Sequence, residues 1–96
     1  MKAQYSEYIT KLKIEDFKLI LHQFDIEVDE DLEQILLSVI QNNQFALIQD
    51  QYQFVLENYI KKLTSDITCQ KIIFLLNHYF KPLLNVWFLN ISISSL

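Results

Sequence analysis

The chain has no glycine and a single proline, Pro82, among its 96 residues. Glycine is the usual residue for left-handed turns, hairpin tips and loops that hold phosphate groups. Its absence argues against hairpin-rich folds, P-loops and dinucleotide-binding turns. About half of the residues are apolar, so the composition favours helices joined by short polar connections. An AT-rich codon usage would also account for part of the missing glycine.

Arginine is missing as well, so all eight basic side chains are lysines, and twelve acidic residues leave a net charge of −4. An acidic chain is repelled by nucleic acids and by anionic lipid surfaces. The arginine fork is also the best protein group for bidentate contacts to phosphate and guanine. We therefore expect no nucleic-acid partner.

The chain has one cysteine, Cys69, which cannot form an internal disulfide. A lone cysteine and a polar, mixed stretch over residues 1–12 predict a cytoplasmic protein without a signal peptide. Residues 72–93 are apolar enough to raise the question of a membrane span. That stretch also carries charged and amide side chains that are costly in a bilayer, which favours a buried helix. These side chains include Asn77, Lys81, Asn85 and Asn90.

Apolar periodicity predicts an all-α protein: a compact bundle of four to five helices in one domain over residues 1–96. The helices are expected over about 2–12, 14–24, 29–41, 50–63 and 66–81, and the first two are either continuous or broken near Lys13. Residues 44–49 are expected to form a loop or single turn pinned into the core. Asn42 and Asn43 are expected to end the third helix, since asparagine tolerates the left-handed conformation.

Local signals add detail at the helix ends. Asp29 is predicted to cap the third helix, Asp50 and Gln53 to form a capping box, and Thr64 or Ser65 to cap the last helix. That last helix is apolar around most of its circumference, so it is expected to be central and covered by the others. Proline blocks a helical hydrogen bond, so a kink or break is expected at Pro82, with residues 90–96 as a frayed tail.

The apolar stripes identify positions where a charge should unfold the protein. The third helix carries the stripe Leu32, Ile35, Leu36, Val39 and Ile40, and the fourth carries the stripe Tyr52, Val55, Leu56, Tyr59, Ile60 and Leu63. We expect both stripes to lie in the core. Ile35→Asp and Leu56→Asp are therefore expected to unfold the chain.

No pattern in the sequence predicts catalysis or a bound cofactor or metal ion. Asp25, Glu27 and Asp29 have the alternate spacing of a calcium-binding loop. The glycine and the glutamate that such a loop requires are replaced by Glu30 and Leu36, so the acids are interpreted as a solvated helix start.

The remaining reactive side chains are two histidines and the cysteine. His22 is predicted on the polar side of its helix, and His78 as a hydrogen-bonded, partly buried group. Cys69 is expected to be a small buried apolar group, although its place near a helix start could lower its pKa. We expect a protein that is not an enzyme and has no cofactor.

Between residues 14 and 80 the chain resembles a small uncharacterised family of helical proteins from low-GC Gram-positive bacteria. The resemblance lies in segments 14–17 (IEDF), 25–29 (DIEVD), 43–45 (NQF) and 63–65 (LTS). The chain departs from the family pattern at 41–43, where a glycine or basic turn is expected, and at Asp66, where proline is expected. The resemblance implies a compact helical protein of bacterial origin with no assigned activity.

Several apolar residues fall outside the predicted core stripes, among them Leu19, Leu37, Phe54 and Phe74. A second apolar face in a small chain indicates a partner or a second copy of itself. The sequence therefore predicts a protein–protein interaction module: an adaptor, inhibitor or assembly subunit. Its candidate interface residues are Phe54, Phe74, Leu83, Leu84, Trp87 and Phe88. The alternative is a membrane-peripheral protein that uses the apolar segment 83–93.

Overall fold

The computed structural model of the chain describes residues 6–84, except for the side chain of Asp50. Within this range the chain forms six α-helices and no strand. The helices are α1 (Glu7–Thr10), α2 (Ile14–Gln23), α3 (Glu30–Asn42), α4 (Gln44–Ile48), α5 (Asp50–Leu63) and α6 (Asp66–Leu75). A π-helical turn, Leu76–Phe80, continues α6 and is called the π segment. The predicted all-α bundle is confirmed, and the predicted tail over residues 90–96 lies outside the described residues.

The break between the first two helices lies at residues 11–13, which decides the alternative that the sequence leaves open. Two glutamines tie the short α1 to the junction of α3 and α4. The amide of Gln41 donates to the carbonyl oxygens of Ile9, Thr10 and Leu12 at 3.0–3.1 Å. These bonds satisfy carbonyls that the end of a helix leaves without an intrahelical partner.

Gln44 is fully buried, although the sequence marks it only as the start of a turn. Its Oε1 accepts a hydrogen bond from the backbone N–H of Ser6 at 2.8 Å. Its Nε2 donates to Oγ1 of Thr10 at 2.9 Å and to the carbonyl of Gln41 at 3.1 Å. A buried amide with all these bonds made fixes the position of α1 on the bundle.

Asp25 ends α2 in the left-handed conformation, with φ 57°. Its N–H donates to the carbonyl of His22 at 3.1 Å, and the N–H of Ile26 donates to the carbonyl of Leu21 at 2.9 Å. This pair of bonds is a Schellman motif, in which glycine is the usual left-handed residue. The chain thus builds a left-handed turn without glycine. Helix α3 ends at Asn42 as predicted, but Asn43 is not left-handed, since its φ is −129° and α4 begins at the next residue.

The N-terminal caps of α3, α5 and α6 can be compared with the predicted ones. Asp29 accepts a hydrogen bond from the N–H of Leu32 and caps α3, and Ser65 does the same for Thr68 in α6. In α5 the N-cap residue is Gln49 rather than the predicted Asp50, and the side chain of Gln53 donates to Oδ1 of Asn77 at 2.8 Å.

The helix formed by α6 and the π segment is central: it contacts α2, α4 and α5. It is not covered all round, because Ile67 is 70% exposed and Phe74 is 53% exposed. Of the predicted kink or break at Pro82, the break does not occur, since helical structure continues through residues 81–84. The irregularity comes earlier, where the N–H of Lys81 donates to the carbonyl of Leu76, five residues back. The widened turn takes up the mismatch that a proline ring imposes on a regular α-helix.

The core consists of apolar side chains from every helix, including Ile9, Phe17, Leu36, Ile60, Leu75 and Phe80. Two assignments on α3 are corrected. Ile35, predicted in the core, is 41% exposed, whereas Leu37, predicted to point away, is buried at 8% exposure. The burial on which the expected unfolding by Ile35→Asp depends is therefore absent, and an aspartate there can stay in water.

Candidate interaction surface

An open groove of about 530 Å³ lies between α3 and α5. It exists because the two helices pack against different neighbours: α3 against α1 and α2, and α5 against α4 and α6. The short helix α4 connects α3 to α5 and also lines the groove. Its lining side chains are Val39, Asn42, Asn43, Phe45, Ala46, Tyr52, Val55, Leu56 and Tyr59.

Among the residues whose side chains the structure describes, none of those that line the groove is charged. Its polar members, Asn42 and Asn43, lie together where α3 ends. At the α4 side the rings of Phe45 and Tyr52 are 6.2 Å apart, within the range of favourable aromatic pairs. An apolar groove with a few amide groups is typical of a surface that binds another apolar segment.

Helix α5 lines the groove because only two of the six residues in its apolar stripe are buried. Leu56 and Ile60 point into the core, at 6% and 0% exposure. Tyr52, Val55 and Tyr59 remain 47%, 64% and 47% exposed, although the sequence predicts all of them in the core. The apolar stripe of α5 is wider than the surface of α4 and α6 that packs against it. In the sequence, the two tyrosines are the signal that this part of the stripe stays exposed, since tyrosine hydroxyl groups usually stay near water.

The predicted interface residues do not gather on one surface. Phe54 is 68% exposed on α5 but does not line the groove, and Phe74 is exposed on α6. Leu83 is 38% exposed, whereas Leu84 is fully buried and so belongs to the core. Trp87 and Phe88 lie outside the described residues, as does most of segment 83–93, on which the membrane-peripheral alternative depends.

Phe74 belongs to a second exposed feature, an aromatic cluster formed with Tyr8, Phe24, His78 and Tyr79. The ring of His78 stacks on Phe74 with centroids 3.9 Å apart, and its Nδ1 donates to the carbonyl of Phe74 at 3.0 Å. Phe24 lies 6.0 Å from Phe74 and 6.3 Å from Tyr79. These contacts give Phe74 a structural role in joining α2 to α6. His78 is hydrogen-bonded as predicted, but it is exposed rather than partly buried.

The hydroxyl groups of Tyr8 and Tyr79 lie 2.9 Å apart and close one side of the aromatic cluster. Burial, followed by the hydrogen bond to Tyr8, raises the pKa of Tyr79 from its ordinary value near 10 to about 12. The unfolded chain releases this proton near pH 10, and the folded chain keeps it until about pH 12. Folding is therefore favoured below pH 10, and this contribution is lost as the pH rises towards 12.

We expect the free energy of unfolding to fall by about 1 kcal/mol between pH 10 and 12 through Tyr79, after allowance for its partial exposure. Urea unfolding at a series of pH values measures this loss. Tyr79→Phe lacks the ionising group and should show a shallower decline, while Tyr52→Phe serves as the matched control. Parallel declines for the wild type and Tyr79→Phe would contradict the assignment.

The other reactive side chains are separated from one another. Cys69 is buried, and its Sγ lies 3.6 Å from the carbonyl of Glu57. Burial, with a smaller contribution from the charge of Glu57, raises the pKa of this thiol, so the expected lowering at a helix start is overridden. His22 is exposed on α2, as predicted. Within residues 6–84 no three His, Cys, Asp or Glu side chains are placed to hold one metal ion.

No family model, curated protein or solved structure matches the chain. The resemblance to a family of low-GC Gram-positive bacteria therefore stays a prediction. Among the helices of residues 6–84, none has the length and apolar character needed to cross a bilayer.

Proposed function

We propose that this protein is a cytoplasmic, non-enzymatic interaction module that binds another protein through the groove between α3 and α5. The supporting observation is that the groove exposes large apolar side chains and that, within the described part of the chain, no charged side chain lines it. An exposed apolar groove is costly in water, and binding an apolar partner segment removes that cost.

The residues that line the groove also suit protein binding better than catalysis. Tyr52 and Tyr59 combine a large apolar ring with a polar end, the property that enriches tyrosine at protein interfaces. Asn42 and Asn43 lie at the edge of the groove, where their side-chain amides donate to Oγ of Ser38 and to the carbonyl of Val39. The histidines and Cys69 do not line the groove.

The proposal predicts that a charge in the groove removes partner binding without unfolding the protein. Val55→Asp places a carboxylate at a 64% exposed position, so the fold should be kept. An unpaired charge buried by a partner should weaken the complex by about tenfold or more. The measurement is affinity purification from the source-cell lysate, followed by reconstitution of the complex from purified components and titration of its affinity.

Leu19→Asp is the matched control, because Leu19 is 65% exposed on α2 and does not line the groove. The expected result is one partner in defined stoichiometry that binds the wild type and Leu19→Asp but not Val55→Asp. A partner that binds all three proteins equally would show that the groove is not its binding surface.

A further inference from the structure

We infer that helix α5 of a second copy of this chain fills the groove between α3 and α5, and that the second copy receives α5 of the first in return. This inference names the partner of the groove described above, so it rests on the proposed function. The exposed side of α5 is apolar, it fits the groove of which it forms one wall, and its area agrees with that of a stable dimer interface.

Helix α5 has an exposed side without charge. Between Gln51 and Tyr59 its exposed residues are uncharged apart from Glu57. The charge of Glu57 contributes to the raised pKa of Cys69 in α6, so its carboxylate lies on the α6 side of the helix. Glu57 does not line the groove. The groove side of α5 therefore carries no charge over these two helical turns.

This side of α5 is also the kind of segment that an apolar groove binds. Tyr52, Val55 and Tyr59 recur at intervals of three and four residues, so they lie on one side of the helix. Amphipathic helices with such spacing bind in apolar grooves. The opposite wall, on α3, offers Val39 and, one turn earlier on the same side, Ile35, which is 41% exposed. Each copy therefore presents both a helix and a groove that fits it, as a two-fold interface between identical chains requires.

An antiparallel pairing of the two α5 helices suits their charges. A two-fold axis midway between Val55 and Tyr59 places Val55 of each copy opposite Tyr59 of the other. The same axis places Tyr52 opposite Lys62, which is exposed and follows Tyr59 by three residues. An ammonium group over a tyrosine ring is a favourable contact. A parallel pairing would instead bring the two Lys62 ammonium groups together, and like charges repel.

The exposed apolar area agrees with what a stable dimer buries. Tyr52, Phe54 and Tyr59 are 47%, 68% and 47% exposed, and Val55 is 64% exposed. Together with Ile35 they expose roughly 400 Å² of apolar surface, at about 200 Å² for a whole aromatic side chain and about 100 Å² for a whole aliphatic one. A stable dimer buries about 800 Å² on each partner, and about 65% of a homodimer interface is apolar, which is roughly 500 Å². The partly exposed lining residues of α4 add to the area that α5 and α3 offer.

The first test is the mass of the full-length chain in solution, measured by sedimentation equilibrium over a series of concentrations. We expect the wild type to approach twice the 11.5 kDa mass of one chain as the concentration rises. Val55→Asp and Tyr59→Lys each bury an unpaired charge in the interface, so each should weaken the dimer by about tenfold or more. Leu19→Asp, whose site on α2 does not line the groove, should dimerise like the wild type.

A mixture of the two groove variants tests the antiparallel pairing itself. When Val55→Asp chains are mixed with Tyr59→Lys chains, the pairing brings a carboxylate of one chain opposite an ammonium group of the other. The mixed dimer should therefore be at least about tenfold tighter than the dimer of either variant with itself. An affinity tag on one variant measures how much of the other variant it captures.

The inference is overturned if the wild type stays monomeric at every concentration, or if both groove variants dimerise like the wild type while circular dichroism shows them folded. A mixture that associates no better than the separate variants overturns the antiparallel pairing. These outcomes separate the inference from the proposed function. A monomeric wild type that binds a different protein through the groove supports the proposed function and removes the second copy. A groove-dependent dimer that captures no other protein does the reverse.

Discussion

Leu36→Asp is expected to unfold the protein. Leu36 is 1% exposed in the middle of α3 and belongs to the core. An aspartate there is either charged without a partner or protonated in an apolar site, and both states cost several kcal/mol. A small domain is stable by only about 5–15 kcal/mol, so most of its stability is lost. Circular dichroism during urea and thermal unfolding measures the effect.

Ile35→Asp is the control for this prediction, since it places the same side chain one residue earlier on the same helix. Ile35 is 41% exposed, so the charge stays hydrated and the free energy of unfolding should change by less than about 1 kcal/mol. Similar large losses for both variants would mean that α3 is rotated from the orientation described here.

Gln44→Ala is expected to lower the free energy of unfolding by about 3 kcal/mol. The substitution removes the side-chain oxygen that accepts a hydrogen bond from the buried N–H of Ser6, and it leaves a cavity between α1 and α4. An unsatisfied buried donor costs about 1–3 kcal/mol, and the lost packing adds to this. Urea unfolding gives the value directly.

Two further variants separate the causes of that loss. Gln44→Met keeps most of the volume without the hydrogen bonds, so it should recover the packing part only. Gln70→Ala removes the same amide from an exposed position on α6 and should change stability by about 0.5 kcal/mol or less. If Gln44→Ala behaves like Gln70→Ala, the buried amide is not what holds α1.

Much of the helical framework could be predicted, because the signals for it are local. The start of α3 at Asp29 and the start of α6 at Ser65 follow from the hydroxyl or carboxylate oxygen that caps each helix. The end of α2 follows from the last apolar residue of its stripe. These features depend on a few neighbouring residues, so no knowledge of the tertiary structure is needed.

The burial of individual residues could not be predicted to the same level. Ile35 and Leu37 are both apolar residues of α3, and their periodicity favours Ile35 for the core. The structure reverses this: Leu37 is buried and Ile35 is exposed, on a helix that packs against α1 and α2. Periodicity shows which residues share a face, but the arrangement of the other helices decides which faces are covered.

The groove illustrates the same limit. An apolar stripe on α5 is evident in the sequence, and the natural prediction is that all of it is buried. Exposure of Tyr52, Val55 and Tyr59 depends on the gap between α3 and α5, which is a property of the whole bundle. The buried Gln44 has a similar origin, since its partners lie 34 and 38 positions away in the chain.

The turn at Asp25 bears on the order in which the chain can fold during synthesis. A left-handed residue other than glycine costs about 1 kcal/mol, and here the ammonium group of Lys71 binds both the carbonyl and the carboxylate of Asp25, at 3.0 and 3.1 Å. During synthesis Lys71 is added 46 residues later than Asp25, so it is absent when the turn first forms. A nascent chain that has been synthesised only through α3 must hold the left-handed turn at Asp25 without Lys71. The contacts between Lys71 and Asp25 form when α6 packs against the rest of the bundle.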